Sequence, residues 1–278
     1  MASTNYKYHY CFRGSCHQPL IVFLHGFLGN CYEFESVTEL LNNQFSCLSV
    51  DLPGHGKTKV LGGNEFYTME KTALSLINLL DELKISKAFL VGYSMGGRLA
   101  LYLALHFPHR FAKVVLESSS PGLKTTTERW ERVKSDEAIA RKLNRIVEKS
   151  DLMMFLSKWY SQPIFGKIKN HPDFPNLIQK RLENNPAELA KSLRFMGTGC
   201  QPSLWENLLD NSIPLLLLVG EYDDKFISIN KEMVRLGKLC QLKVISNAGH
   251  NVHFEQTMAF AEKIRQFFGK RESNCIDR

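Results

Sequence analysis

Six short runs of aliphatic and β-branched residues punctuate the chain, at Ile21–Leu24, Cys47–Val50, Ala88–Val91, Val114–Leu116, Leu215–Val219 and Leu242–Ile245. Each is strand-sized and apolar at consecutive rather than alternate positions, the pattern of strands buried on both faces of a mostly parallel sheet. Helical periodicity fills several of the gaps. One helix is predicted through Leu83 with Thr68 as its N-cap, another after Ser94 to about Phe107, and a last one from about Gln256 to Phe268. Strands alternating with helices predict an α/β fold with a doubly wound core. The rhythm stops at Pro121-Gly122 and resumes near Ser212-Ile213-Pro214. Between them lies a helical, basic, Trp-containing stretch with no strand pattern. We therefore expect a core built from residues 1–121 and 204–278 and an inserted helical cap, or lid, over 122–203. Arg271–Arg278 read as a frayed tail.

The 278 residues are 44% hydrophobic and 23% charged, enough apolar material for a sizeable core and incompatible with a disordered or fibrous chain. No apolar run approaches the roughly 18 residues a membrane span requires. The N-terminus MASTNYKYHY has no apolar signal segment, so a cytoplasmic protein is expected. The seven cysteines are scattered and show no Cys-x-x-Cys pair, which argues for reduced thiols and against a structural zinc. Of the net charge of +7, a net of +6 falls between Gly122 and Cys200, where 15 Lys and Arg face 9 Asp and Glu. Most of these cations suit a solvated helical face, and a few are candidates for a pocket. No nucleic-acid-binding motif accompanies them, so neither nucleic acid nor membrane insertion is expected.

Gly92-Tyr93-Ser94-Met95-Gly96 follows a predicted strand and opens a predicted helix. That is the setting of a nucleophile elbow, in which a sharp turn presents the serine and small neighbours let the chain approach closely. Asp223 after the strand Leu215–Val219, and His250 after Leu242–Ile245, complete the order Ser, Asp, His. Both sit at the carboxyl ends of strands, where an open α/β sheet places its site. Asp224 is a rival for the acid, and Asp223 is favoured because it follows Gly220-Glu221-Tyr222 directly. His25-Gly26-Phe27 after the first strand offers the Phe27 amide, and Met95 a second, for an oxyanion hole. Arg98 lies one helical turn beyond Ser94 on a helix expected to enter the core, so its guanidinium needs an anionic partner.

With these motifs in place the chain resembles the α/β-hydrolase fold superfamily over its whole length. Within it, His25-Gly26-Phe27-Leu28-Gly29, the elbow extended to Arg98, Trp159-Tyr160-Ser161-Gln162-Pro163-Ile164-Phe165, Gly220 to Phe226 and Gly249-His250-Asn251-Val252-His253 resemble the family of 2-succinyl-6-hydroxy-2,4-cyclohexadiene-1-carboxylate synthases (MenH) of menaquinone and phylloquinone biosynthesis. The resemblance implies a carbon–oxygen lyase rather than a hydrolase. It implies that Arg98, Arg132 and Arg181 bind the carboxylates of a small-molecule polycarboxylate substrate. Trp159 reads either as an aromatic wall or as a packing residue of the lid, and Tyr93 either points its hydroxyl into the pocket or packs beneath it. Arg132 and Arg181 also have acidic neighbours in sequence that offer simple salt bridges. The implied reaction removes a proton next to the succinyl ketone of 2-succinyl-5-enolpyruvyl-6-hydroxy-3-cyclohexene-1-carboxylate and eliminates pyruvate. Ser94, activated by His250 and oriented by Asp223, is its base, and no metal or organic cofactor is implied. Two alternatives remain open on these residues: a serine esterase or carbon–carbon bond hydrolase, and a non-catalytic ligand receptor. A monomer is favoured over an oligomer.

Overall fold

Leu20–Leu24, Ser46–Val50, Ala88–Tyr93, Phe111–Glu117, Leu215–Gly220 and Cys240–Ile245 are strands in the computed structural model, which describes residues 5–15 and 17–269. The expected tail Arg271–Arg278 lies outside the described residues, as do Cys16 and Cys275. In chain order the strands are β1 (Tyr6–Lys7), β2 (Tyr10–Arg13), β3 (Leu20–Leu24), β4 (Ser46–Val50), β5 (Lys59–Val60), β6 (Ala88–Tyr93), β7 (Phe111–Glu117), β8 (Leu215–Gly220) and β9 (Cys240–Ile245). Seven of them form one sheet in the order β2-β4-β3-β6-β7-β8-β9, while β1 and β5 pair separately. Every pairing in the large sheet is parallel except β2 with β4. That antiparallel edge strand has no counterpart in the predicted elements. Its four residues alternate between exposed and half-buried, so it never builds the apolar run that marks a central strand.

Strand order reverses between β3 and β6, and helices cover both faces. Val22 and Leu24 point into one core together with Leu76 and Leu80 of α2 (Met69–Glu82) and Leu99 and Leu103 of α3 (Met95–His106). The alternate residues Ile21 and Phe23 meet Val37 and Leu41 of α1 (Glu35–Leu41) and Phe260 and Ile264 of α10 (Thr257–Gly269) on the other face. Both sides of each central strand are thus buried, which is why the sequence shows continuous apolar runs. The predicted helix boundaries hold to within a residue or two. Thr68 occupies the N-cap of α2, but its hydroxyl donates backward to the Glu65 carbonyl instead of capping the helix.

Between β7 and β8 the chain forms α4 (Thr126–Leu143), α5 (Lys149–Trp159), α6 (Phe174–Arg181) and α7 (Pro186–Met196), and no strand. A capping box between Thr125 and Glu128 starts α4. These helices share an apolar cluster that includes Leu143, Leu152, Leu156, Leu189 and Leu193 and closes on Leu28 of the core. Asn184 fastens the same helices to two loops, donating to the Leu28 carbonyl at 2.8 Å and accepting from the Gly56 amide at 2.8 Å. The remaining helices, α8 (Asp224–Leu236) and α9 (Val252–Glu255), lie after β8 and β9. No described helix is long and apolar enough to cross a membrane.

Helix α3 starts so close to β3 that a Cβ on Gly96 would sit 2.2 Å from the Leu24 carbonyl oxygen. Backbone cannot yield there without moving the strand. Gly96→Ala is expected to cost about 3 kcal/mol, the upper end of ordinary overpacking, measured by chemical unfolding. A loss below about 1 kcal/mol would contradict this account of the helix position.

Candidate active site

The carboxyl ends of β6, β8 and β9 bring three distant side chains together. His250 Nδ1 lies 2.6 Å from Asp223 Oδ2, and His250 Nε2 lies 3.0 Å from Ser94 Oγ. Asp223 and His250 are buried against each other, whereas Asp224 is exposed at the start of α8. With Nδ1–H donating to the carboxylate, Nε2 is left to accept from the serine hydroxyl. Phe226, Tyr93 and Phe165 pack around the imidazole, and the His250 amide donates to the Ile164 carbonyl at 2.9 Å.

Ser94 has φ 50° and ψ −106°, outside the ordinary regions for a residue with a side chain. Its amide donates to the Glu117 carbonyl at 2.9 Å, which holds the turn to the end of β7. Met95 opens α3 directly behind it, so the positive end of that helix faces the serine. His25 shapes the opposing loop. Its Nδ1 donates to the Gly26 carbonyl at 2.7 Å and its Nε2 accepts from the Leu52 amide at 2.9 Å. Burial lowers its pKa, in keeping with a neutral ring in that bridging role. His55 is also buried and held below its usual pKa, a loop-shaping residue whose ring packs beside His25.

Ser94, His250, Phe27, Met95 and Tyr93 all border one cavity of about 700 Å³, with Trp159 at the end of α5 on another wall, its ring centroid 5.3 Å from that of Phe27. A second cavity, about 430 Å³, lies between the first strands and α2 and shares no lining residue with it. Arg98 lines the first cavity, yet it is buried and its guanidinium finds only neutral partners. It donates to the Met196 carbonyl at 3.1 Å and to Gln201 Oε1 at 2.8 Å. Among the described residues it forms no ion pair. Burial, reinforced by nearby Arg132, lowers its pKa to about 10. Arg132 borders the same cavity and is paired with Asp136 at 2.7 Å. Burial raises the Asp136 pKa against the pull of Arg132.

Arg181 is a correction to the sequence reading, because it does not line this cavity. It is 1% exposed, pairs with Glu33 at 2.5 Å and donates to the Tyr160 hydroxyl at 3.0 Å. Glu33 also faces His253 Nε2 at 3.1 Å, and His253 Nδ1 faces Glu117 at 2.7 Å, so two carboxylates and two cations form one buried chain. Burial alone would raise the Glu33 pKa, but Arg181 and His253 outweigh it and hold the carboxyl well below its usual range. Burial likewise opposes the His253 charge, and Glu117 and Glu33 overcome it, raising the pKa to about 9. Gln162 and Lys225, which are not among the expected site residues, also border the cavity. Both lie inside the segments Trp159–Phe165 and Gly220–Phe226 that carry the family resemblance, and that is the signal in the sequence that points to them.

With the geometry in view, comparison with known proteins is decisive. The family model described as alpha/beta hydrolase fold matches residues 19–257. A putative 2-succinyl-6-hydroxy-2,4-cyclohexadiene-1-carboxylate synthase of Bacillus subtilis is 37% identical over 89% of this chain and 89% of its own length. The chain belongs to the α/β-hydrolase fold family and, within it, to these synthases. The synthase of Escherichia coli O1:K1 is 35% identical over 89% of this chain and 93% of its own. Among solved structures, MenH from S. aureus superposes with a TM-score of 0.85 at 34% identity, covering 96% of this chain and 98% of that one.

The ionic chain generates a test. A His253 pKa raised from 6.5 to about 9 contributes stability that is fully present below pH 6.5 and is lost as pH rises through about 9. Melting temperature should therefore fall between pH 7 and pH 10 in the wild type. In His253→Gln it should start lower at pH 7 and decline less over the same interval. Parallel pH profiles for the two proteins would show that His253 is not charged in the folded state.

Proposed function

We propose that the chain is a carbon–oxygen lyase of menaquinone and phylloquinone biosynthesis. It would convert 2-succinyl-5-enolpyruvyl-6-hydroxy-3-cyclohexene-1-carboxylate to 2-succinyl-6-hydroxy-2,4-cyclohexadiene-1-carboxylate and pyruvate. The single observation that carries this reading is Arg98, a buried guanidinium on the wall of the triad's cavity with no carboxylate of its own. A cation in that position stabilises a carboxylate brought by the substrate and has little use against a neutral ester. Family membership supports the same assignment.

In the proposed mechanism His250 takes the Ser94 proton, and the serine oxygen removes the proton from the carbon next to the succinyl ketone. The electron pair left behind forms an enolate, which the Phe27 and Met95 amides stabilise. That pair then shifts through the ring double bond to expel the enolpyruvyl oxygen. One carbon–hydrogen and one carbon–oxygen bond break, a new ring double bond forms, and the departing enolpyruvate takes up a proton to become pyruvate. Asp223 fixes the imidazole tautomer throughout. No acyl-enzyme is needed, and the residues invoked supply acid–base chemistry and charge stabilisation without a metal or organic cofactor.

Arg98 and Arg132 are assigned to substrate carboxylates, with Trp159 and Tyr93 as walls. Arg181 is assigned a different task, clamping α6 to the Phe27 loop through Glu33. Residues 122–203 are proposed as a cap over a core of 1–121 and 204–278, in a cytoplasmic monomer.

Pyruvate release from the enolpyruvyl substrate at neutral pH is the experiment that tests the reading. Ser94→Ala should lower kcat/KM by about 10³-fold, and Arg98→Ala by about 10²-fold, with Arg98→Lys recovering only part of the loss. Absence of pyruvate release, together with aryl-ester hydrolysis that survives Arg98→Ala, would establish a hydrolase in its place. Ligand binding with no turnover in the wild type would establish a receptor.

A further inference from the structure

Outside the triad's cavity, a second group of reactive side chains sits where β2 meets the loop between β3 and α1. Cys11 Sγ on β2 and Cys31 Sγ in the loop are 3.0 Å apart, and both are unbonded thiols. Cys31 is buried, while Cys11 on the sheet edge is partly exposed. The backbone on the Cys31 side is held firmly. The Cys31 amide donates to Asp51 Oδ1 at 2.5 Å, and Asp51 Oδ2 accepts from the Lys57 amide at 2.7 Å and faces His9 Nδ1 at 2.8 Å. Two thiols on separate elements, about 1 Å beyond bonding distance, need only small side-chain rotations to join.

We propose that Cys11 and Cys31 are a site of reversible oxidation, in which a small-molecule disulfide of the glutathione class converts the two thiols to a disulfide. Cys11 is the entry point, because it is the partly exposed member and burial pushes the Cys31 thiol well above its usual pKa. Its thiolate attacks one sulfur of the reagent, forming a mixed disulfide and releasing one thiol. Cys31 then displaces the second thiol. The protein loses two hydrogens as two protons and two electrons, and the reagent's sulfur–sulfur bond is reduced to two thiols.

The same cluster suggests a metal, since His9, Cys31 and Asp51 each bring one ligand atom within 4.8 Å of the others. The hydrogen bonds argue against that use. Both Asp51 oxygens are already engaged by donors, and His9 Nδ1 is turned to Asp51 as one of those donors. The disulfide needs none of these contacts broken. Its consequence is mechanical: it ties the edge strand to the loop that carries the Phe27 amide and Glu33, and whose Leu28 carbonyl receives Asn184 from beyond β7.

The test uses the full-length protein, equilibrated with oxidised glutathione without oxygen and mapped after trypsin digestion under non-reducing conditions. The expected product is the peptide Tyr8–Arg13 joined to the peptide spanning residues 14–57, with two hydrogens lost and both peptides released by dithiothreitol. Cys31→Ser should abolish the link, while Cys16→Ser and Cys47→Ser leave it. The linked protein should melt about 5 °C higher than the reduced form. Exposed Cys200 serves as the internal control. Full glutathionylation of Cys200 without a Cys11–Cys31 link overturns the proposal, as does a link that survives Cys31→Ser or one that leaves the melting temperature unchanged. One equivalent of zinc in the purified protein, lost in Cys31→Ser, would overturn it in favour of a metal site.

Discussion

The geometry at Ser94 depends on a buried chain of charges, Glu117 to His253 to Glu33 to Arg181. Each member belongs to a different segment that has to converge at the sheet's carboxyl edge. Glu117 ends β7 and its carbonyl holds the Ser94 amide. His253 follows His250 by three residues, Glu33 belongs to the loop that carries Phe27, and Arg181 ends α6. Four ionisable groups so deeply buried would be costly singly. Paired in alternation they offset one another, and removing any one leaves an uncompensated charge in a low-dielectric interior. These four charges therefore tie strand end, imidazole turn and amide-bearing loop together, because displacing any one of those segments strands a buried charge.

A contrast in electrostatics follows. Arg181 and Arg98 are both buried, but Arg181 is neutralised by Glu33, while Arg98 has only a carbonyl and an amide oxygen. Arg132 stands beside Arg98 and makes its charge costlier still, and Asp136, which moderates both, is spent on Arg132. The fold thus keeps a buried positive charge, without an ion-pair partner among the described residues, on the wall of the cavity that Ser94 also borders. That is a ground state a dianionic or trianionic ligand relieves and a neutral ligand does not.

The sequence disclosed those parts of this arrangement that are local or periodic. Strands buried on both faces declare themselves as apolar runs, and Ser94, Asp223 and His250 lie immediately after such runs, so their convergence could be read from chain order. Arg98 was legible for the same reason, because one helical turn fixes its distance from Ser94. Arg181 was not. Its sequence neighbours include Lys180 and Glu183, but the partner that decides its place is Glu33, 148 residues earlier, and no periodicity encodes such a pairing. The edge strand β2 escaped because alternating exposure over four residues is too short a pattern to distinguish from a loop. The contact between Cys11 and Cys31 escaped with it, since it exists only once that strand has docked.

A hydrolase and the proposed lyase need the same first event, transfer of the serine proton to His250, and they diverge in what the serine oxygen meets next. An electrophilic carbonyl carbon within reach leads to acyl transfer; an acidic carbon–hydrogen bond beside a ketone leads to elimination. The triad cannot make that choice, because its 2.6 and 3.0 Å contacts serve either outcome. The choice falls to whatever fixes the substrate relative to Ser94, and in the proposed reading one such group is the forked guanidinium of Arg98, one turn along the same helix. Because Arg98 lies on α3 and Ser94 is that helix's N-cap, the distance between a carboxylate held in the proposed way and the attacking oxygen would be set by α3 itself. On the proposed reading, reaction type is in this sense a property of the helix that follows the elbow, with the elbow supplying only the base.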